Sequence, residues 1–124
     1  MIKIDFKPIS VNEAYTGKRF KTEKYRSFIR AVSFFLPSNL QVPKGRFYVI
    51  YEFGLSNISA DYDGPIKNFQ DTLQARYQFD DKMIIGGFIH KVKVEKGQEY
   101  ISFKFFSDDQ KKEFIEKIQL LLNN

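Results

Sequence analysis

The stretch "RFYVIYEFG", residues 46–54, is dominated by β-branched and aromatic side chains that partly alternate with other types. Side chains of this kind fit the pleated, half-buried surface of a sheet. A run of this length bounded by turn residues is typical of a single strand. We therefore predict a strand at about 46–54, and the segments before and after it predict the elements that pack around it.

Three elements are predicted before this strand. "IKIDF", residues 2–6, alternates and predicts a first strand, whereas residues 7–20 predict an ordered loop because proline, glycine and turn-forming polar residues interrupt them. Residues 22–36, "TEKYRSFIRAVSFFL", carry apolar side chains at helical spacing. We expect this helix to end before Pro37, since a proline disfavours helical backbone at the residue that precedes it.

The segments near the C-terminus predict two strands and a helix. "MIIGGFIHKVKVEK" (83–96) and "QEYISFKFF" (98–106) flank Gly97 and predict an antiparallel hairpin, with a bulge in the first arm at Gly86 and Gly87. Residues 107–124 open with helix-capping side chains and predict a helix. These elements together predict one small α+β domain, with a mixed or antiparallel sheet and helices packed on one side.

Composition limits the chemistry that the chain can perform. Its 124 residues are 43% hydrophobic and 17% aromatic, which suits one compact domain. It has no cysteine and one histidine, so disulfides, thiolate chemistry and His/Cys metal sites are excluded. No apolar run of about 18 residues and no secretory signal pattern is present. We therefore expect a cytoplasmic protein with no membrane association.

Charge is distributed unevenly along the chain. The segment from Lys18 to Arg46 holds eight basic residues against the single acid Glu23, a balance of +7, whereas the whole chain carries +5. Between Asp61 and Asp81 five aspartates face two basic residues, a balance of −3. A basic surface beside an acidic cluster suits an enzyme that cleaves a polyanion with a divalent metal. Ordinary solvated faces would produce the same pattern.

The acidic residues belong to "SADYDGPIKNFQDTLQARYQFDDKM", residues 59–83. Proline is favoured at the first position of a helix, so Pro65 predicts a helix start with Gly64 as its cap. Asp61 and Asp63 precede that start, and in an extended segment side chains two residues apart point to the same side. Lys67 then lies in the first turn of the helix, near both carboxylates. The simpler interpretation of Lys67 is a helical ion pair with Asp71.

Two neighbouring carboxylates repel each other unless a cation neutralises them. Mg²⁺ binds one or two carboxylates and keeps open positions for a phosphate oxygen and a water. Asp80 and Asp81 follow the helix and offer a third ligand, although adjacent side chains of an extended segment face opposite ways, so only one of them can join the site. Aspartates also cap helices and start turns, which is the alternative for all four.

The order of these motifs resembles the RusA family of Holliday-junction resolvases. "SVNEAY" near the N-terminus, a basic helix, a strand, "DYDGPIKNFQDTLQ" and then "FDD" before a strand are similar to that family over residues 4–106. The resemblance implies that residues 1–124 form one RusA-like endonuclease domain and act as a homodimer on four-way DNA. It also implies that Asp61, Asp63 and Asp81 bind Mg²⁺, or Mn²⁺ in its place, and that Lys67 assists catalysis.

Members of that family commonly have asparagine directly after the second aspartate, where this chain has Gly64. The difference bears on substrate details more than on metal chemistry. Bacterial, prophage and phage origins all stay open.

A second set of residues is predicted to contact DNA. Asn12 and Tyr15 lie in the loop that resembles the family's N-terminal motif, where turn formation and core packing are the equal alternative. The basic residues that follow cluster near that loop and are candidates for phosphate contacts. The full set is Asn12, Tyr15, Lys18, Arg19, Lys21, Lys24 and Arg26.

Two functions are therefore expected, and the first is the one that the resemblance implies. The first is a Mg²⁺-dependent endodeoxyribonuclease that resolves four-way junctions by paired nicks in DNA recombination and repair. The second is a non-catalytic protein that binds branched DNA and whose acidic cluster only caps a helix or holds a structural ion.

Overall fold

A computed structural model describes residues 1–16, 20–57 and 65–123, with the side chains of Val11 and Asn12 left out. Strand β4, Phe47–Leu55, lies inside a four-stranded sheet of order β1-β6-β4-β5. It pairs antiparallel with β6, Tyr100–Ser107, and parallel with β5, Ile84–Lys93, while β1, Ile2–Ile4, pairs antiparallel with β6. The predicted strand at 46–54 and the mixed sheet are confirmed.

The predicted hairpin of 83–96 with 98–106 is wrong. Both segments are strands and Gly97 has the positive φ of a turn, but β4 lies between the two strands. Seven of the nine residues of β4 are buried, so its apolar side chains must be covered on both faces, and a central position provides this. The β4–β5 register slips between Phe47 and Tyr48, which leaves Ile85 as the extra residue just before the predicted bulge.

The segment predicted as a loop contains three short elements. Helix α1, Val11–Ala14, begins at a capping box in which Ser10 and Glu13 bond each other's backbone N–H groups. Strands β2, Tyr15–Thr16, and β3, Phe20–Lys21, then pair antiparallel. The interpretation as an ordered loop missed these elements because each is only two to four residues long.

Three longer helices complete the domain. Helix α2, Glu23–Phe35, is capped by Thr22 and ends before Pro37 as predicted. Helix α3 spans Ile66–Tyr77, so Pro65 occupies the cap position rather than the first helical one, and Gly64 lies outside the described residues. Helix α4, Lys111–Leu122, confirms the predicted C-terminal helix.

The helices cover the sheet unequally. The main core joins α2 and α3 to the face of β4 that carries Tyr51 and Phe53. A smaller cluster joins Phe114 of α4 to Ile50 and Phe106 on the opposite face. The α+β class is confirmed, but the prediction that the helices pack on one side is wrong, since α4 covers the face opposite to α2 and α3. Among the described residues, no helix is long and apolar enough to cross a membrane.

Helix α3 runs antiparallel to β4 and connects it to the parallel strand β5. At one end, Pro65 lines a pocket with Leu55, the last residue of β4, and with Ser56, which follows it. At the other end, the ring of Phe79 lies 5.5 Å from that of Phe47, the first residue of β4. The helix therefore has its first turn beside the end of β4 and its last turn beside the start of β4.

Candidate metal and nucleic-acid site

Lys67 lies in the first turn of α3 and is exposed. Asp61 and Asp63, the other residues of its motif, lie outside the described residues. The alternative pairing of Lys67 with Asp71 is not among the ion pairs that the described residues make. The side chain of Lys67 is therefore exposed to solvent at the N-terminal end of α3, which follows the acidic motif in the sequence.

Asn68 holds this first turn in place. Its side chain is fully buried, and its Nδ2 donates a 2.9 Å hydrogen bond to the carbonyl of Ile9. The hydroxyl of Thr72 donates to the carbonyl of Asn68 at 2.8 Å. Sequence reasoning missed Asn68 because an amide beside the apolar stripe of a helix is indistinguishable from a solvated one. Its role is to tie α3 to the N-terminal loop, so Lys67 stands on a rigid support.

Asp80 and Asp81 have different roles in the structure. Asp80 caps a single 3₁₀ turn, Asp81–Met83, because its Oδ1 accepts the backbone N–H of Lys82 at 3.0 Å. That hydrogen bond, with the Lys82 ammonium nearby, lowers the pKa of Asp80. Asp81 is exposed at the start of the turn. Capping, the alternative given for these aspartates, is therefore the role of Asp80, whereas Asp81 keeps its carboxylate available.

Helix α3 separates Lys67 from Asp81. The ten residue steps from Lys67 to Tyr77 span about 15 Å of helix, and Asp81 comes four residues later. Asp81 belongs to the end of the sheet where β4 starts, since Ile84 pairs with Phe47. A lysine side chain and a carboxylate that serve one Mg²⁺ must lie within a few ångströms of it. The described part of one chain does not bring these two predicted site residues together, nor does it contain a group of three acidic or histidine side chains that could hold a metal.

The predicted DNA-contact residues fall into three groups. Lys21, Lys24 and Arg26 are exposed on β3 and the first turn of α2. Tyr15 packs its ring 5.4 Å from that of Tyr25, which supports the core-packing alternative for this residue. The remaining candidates, Lys18 and Arg19 and the side chain of Asn12, lie outside the described part of the chain.

The basic residues of α2 are partly engaged with acids. Lys24 bonds the carboxylate of Glu13, and this contact lowers the pKa of Glu13. Glu23 accepts from Arg26 at 3.2 Å and from Arg30 at 3.0 Å. Exposed pairs of this kind contribute little to stability and exchange readily for other partners. These basic side chains can therefore exchange their carboxylate partners for the phosphates of a nucleic acid.

A polar cluster on the α4 side of the sheet was not foreseen. The carboxylate of Glu52 accepts the hydroxyl of Tyr100 at 2.7 Å, and Nδ1 of His90 lies 3.0 Å from its other oxygen. A carboxylate oxygen only accepts, so Nδ1 carries the proton. The sequence does not reveal this contact because the partner of His90 comes from another strand, through the Glu52–His90 register of β4 and β5.

No protein-family model matches the chain, and no curated protein matches it significantly. The resemblance to the RusA resolvases therefore rests on the quoted motifs.

Proposed function

We propose that the protein is a Mg²⁺-dependent endonuclease that cuts four-way DNA junctions, as a cytoplasmic homodimer. The observation that supports this most directly is the placement of Lys67, which is exposed in the first turn of a firmly anchored helix and follows Asp63 by four residues. The basic residues at the start of α2 provide a surface for the DNA backbone.

The residues of the motif have separable roles in this proposal. Asp61 and Asp63 would hold the ion, since paired carboxylates are the ligands that Mg²⁺ accepts. A bound Mg²⁺ would polarise the scissile phosphate and lower the pKa of a water ligand. Lys67 places a positive charge where the phosphate gains negative charge in the transition state. Asp81 is the proposed third ligand, and it follows the end of α3 opposite to Lys67.

The test uses a synthetic four-way junction, incubated with the protein in Mg²⁺ and in EDTA. We expect paired nicks in Mg²⁺ alone. Lys67→Ala should reduce the nicking rate about 100-fold or more, in line with the loss of one transition-state contact, while junction affinity stays within a few-fold. Lys82→Ala is the matched control, since Lys82 is also exposed but contacts Asp80 in the 3₁₀ turn.

DNA binding is tested separately by charge reversal on α2. Lys21→Glu with Lys24→Glu should weaken binding and flatten the dependence of affinity on salt, because two phosphate contacts would be lost. Tight junction binding with no nicking by the wild-type protein in Mg²⁺ or Mn²⁺ would favour the non-catalytic binding protein. The lack of three clustered acids within the described residues is the observation that keeps this second function open.

A further inference from the structure

A small apolar pocket lies between the N-terminal segment and helix α2. Its volume is about 250 Å³, and its apolar lining comes from Phe6, Pro8, Ile9 and Phe28. Pockets that hold drug-sized molecules are larger, with volumes of roughly 300–1,000 Å³. The pocket therefore suits one small ring system rather than an extended ligand. We call it the Phe6 pocket.

Two phenylalanine rings form part of its wall. Phe28 is 2% exposed, whereas Phe6 is only partly buried. The ring centroids lie 5.9 Å apart and the ring planes are tilted by 55°, so the two rings do not stack face to face. Aromatic side chains of this kind stack on nucleobases of any identity, because every base has a π-face. Phe6 is the more exposed ring and is therefore the one that can receive a base.

The wall of the Phe6 pocket is firmly held. Pro8 and Ile9 are buried, and the carbonyl of Ile9 accepts the 2.9 Å hydrogen bond from Asn68 on α3. Phe28 belongs to the buried stripe of α2 and to the main core. The pocket is therefore formed in the free protein, and a ligand does not have to order it.

The rim of the pocket is basic. Lys7 and Lys24 line it and are exposed, and no acidic side chain is among its described lining residues. Lys24 bonds Glu13 outside the pocket, in an exposed contact that can be exchanged for another partner. Lys21 and Arg26 continue the positive surface on β3 and α2. An apolar pocket with a basic rim matches a nucleotide, whose base is a flat ring and whose phosphates are negative.

The Phe6 pocket adjoins the end of the fold that holds Lys67. Lys7 and Pro8 also line the neighbouring pocket that contains Pro65, two residues before Lys67. A DNA strand held at Lys67 would therefore reach the Phe6 pocket by passing over Lys7. Taking a base out of the stack costs least where it is mismatched or already unpaired, as beside a branch point that has opened.

We propose that the Phe6 pocket binds one unpaired nucleobase of a DNA strand, with Phe6 stacking on the base and with Lys7 and Lys24 contacting the phosphates on either side of it. The inference rests on the nucleic-acid binding of the function proposed above, but not on its nicking activity. It adds a site that distinguishes a nucleotide with its base from the sugar-phosphate backbone alone.

The pocket is tested by measuring the binding of two oligonucleotides in EDTA. One is a short oligothymidylate and the other is an abasic oligonucleotide of the same length, so that both carry the same charge. We expect the wild type to bind the oligothymidylate about tenfold more tightly, which is within the effect of one stacked base. Lys7→Gln should weaken the binding of both oligonucleotides by a similar factor, because a phosphate contact does not depend on the base.

Filling the pocket should remove the preference for a base. Ser27 lines the pocket from the exposed side of α2. Ser27→Leu puts an apolar side chain into the pocket without a change of charge, and leucine favours a helix. Affinity for the oligothymidylate should fall about tenfold, while affinity for the abasic oligonucleotide stays unchanged. Ser27→Ala is the matched control, because it also removes the hydroxyl and its contact with Arg30 but leaves the pocket open, so it should keep the preference.

Photochemical cross-linking locates the base. An oligothymidylate in which one thymine is replaced by 5-iodouracil should cross-link to Phe6 or Phe28, as mapped by mass spectrometry of the digested protein. Phe20 and Phe34 are 76% and 83% exposed and lie outside the pocket. Cross-links confined to these two residues would overturn the placement of the base.

The outcomes separate the pocket from the proposed function. A wild type that nicks junctions but binds both oligonucleotides equally, or a preference that Ser27→Leu retains, would overturn the pocket and leave the nuclease in place. Ser27→Leu that changes the sedimentation of the protein alone would assign the pocket to a second copy of the chain and also overturn the inference. A preference that Ser27→Leu abolishes, in a protein that never nicks, would support the pocket and overturn the nuclease.

Discussion

Replacing Gly54 by alanine should destabilise the protein through one contact. A Cβ added at Gly54 would lie 2.3 Å from both Cδ1 and Cε1 of Tyr100. The ring cannot retreat freely, because its hydroxyl donates to Glu52 at 2.7 Å and the ammonium of Lys3 lies 4.6 Å from its centroid. Burial, and then the Glu52 carboxylate, raise the pKa of Tyr100, which keeps its hydroxyl a donor at neutral pH.

The clash between the new Cβ and the Tyr100 ring can be relieved in two ways, and both cost a similar amount of stability. If the ring stays, overpacking costs about 1–3 kcal/mol. If the ring swings away, the hydrogen bond to a charged partner is lost, at about 1.5–3 kcal/mol. We therefore expect Gly54→Ala to lower the free energy of unfolding by about 2 kcal/mol. For a chain of this size, the melting temperature should fall by roughly 6–10 °C.

A double-mutant cycle isolates this contact. Urea unfolding, followed by circular dichroism, would be compared for Gly54→Ala in the wild-type and Tyr100→Ala backgrounds. Without the tyrosine ring the three closest contacts of the new methyl group are removed, and Gly54→Ala should be neutral or stabilising by up to about 1 kcal/mol. Gly87→Ala, whose Cβ would lie 3.2 Å from Cγ2 of Val49, is a milder control. An equal loss in both backgrounds would refute the reasoning.

Three further predictions concern other parts of the fold. The Lys24 ammonium lowers the pKa of Glu13 below its ordinary 4.5, so the stabilisation is present above about pH 4.5 and is lost as the pH falls through the lowered pKa. Glu13→Gln keeps the capping box, and its melting temperature should lie slightly below that of the wild type at neutral pH and converge with it in acid. Thr22 caps α2 and also donates to the carbonyl of Glu13, so Thr22→Ala should cost about 1–2 kcal/mol in urea unfolding and Thr22→Ser much less. Phe114 is the one buried side chain that α4 contributes within the described residues, and Phe114→Ala should cost about 3 kcal/mol. Hydrogen exchange should then show α4 losing protection before the sheet, whereas exposed Ile115→Ala should change neither measurement.

The sequence by itself determined which of the longer segments form strands and helices. Local patterns sufficed for the strand at 46–54, for the end of α2 before Pro37 and for the C-terminal helix. The capping alternative for Asp80 is also local, since it depends on a backbone group two residues away. Such features are settled by neighbours in the chain, so spacing and residue type reveal them.

Only the tertiary structure decided how these elements meet. Periodicity identifies a strand but not its partner. Strand β4 lies between β5 and β6 because its apolar side chains are buried on both faces of the sheet. The distance between Lys67 and Asp81 depends on the direction in which α3 crosses the sheet. The Glu52–His90 contact depends on the β4–β5 register, which brings together two residues that are 38 positions apart in the sequence. Each of these is fixed by packing among distant segments, which no local pattern encodes.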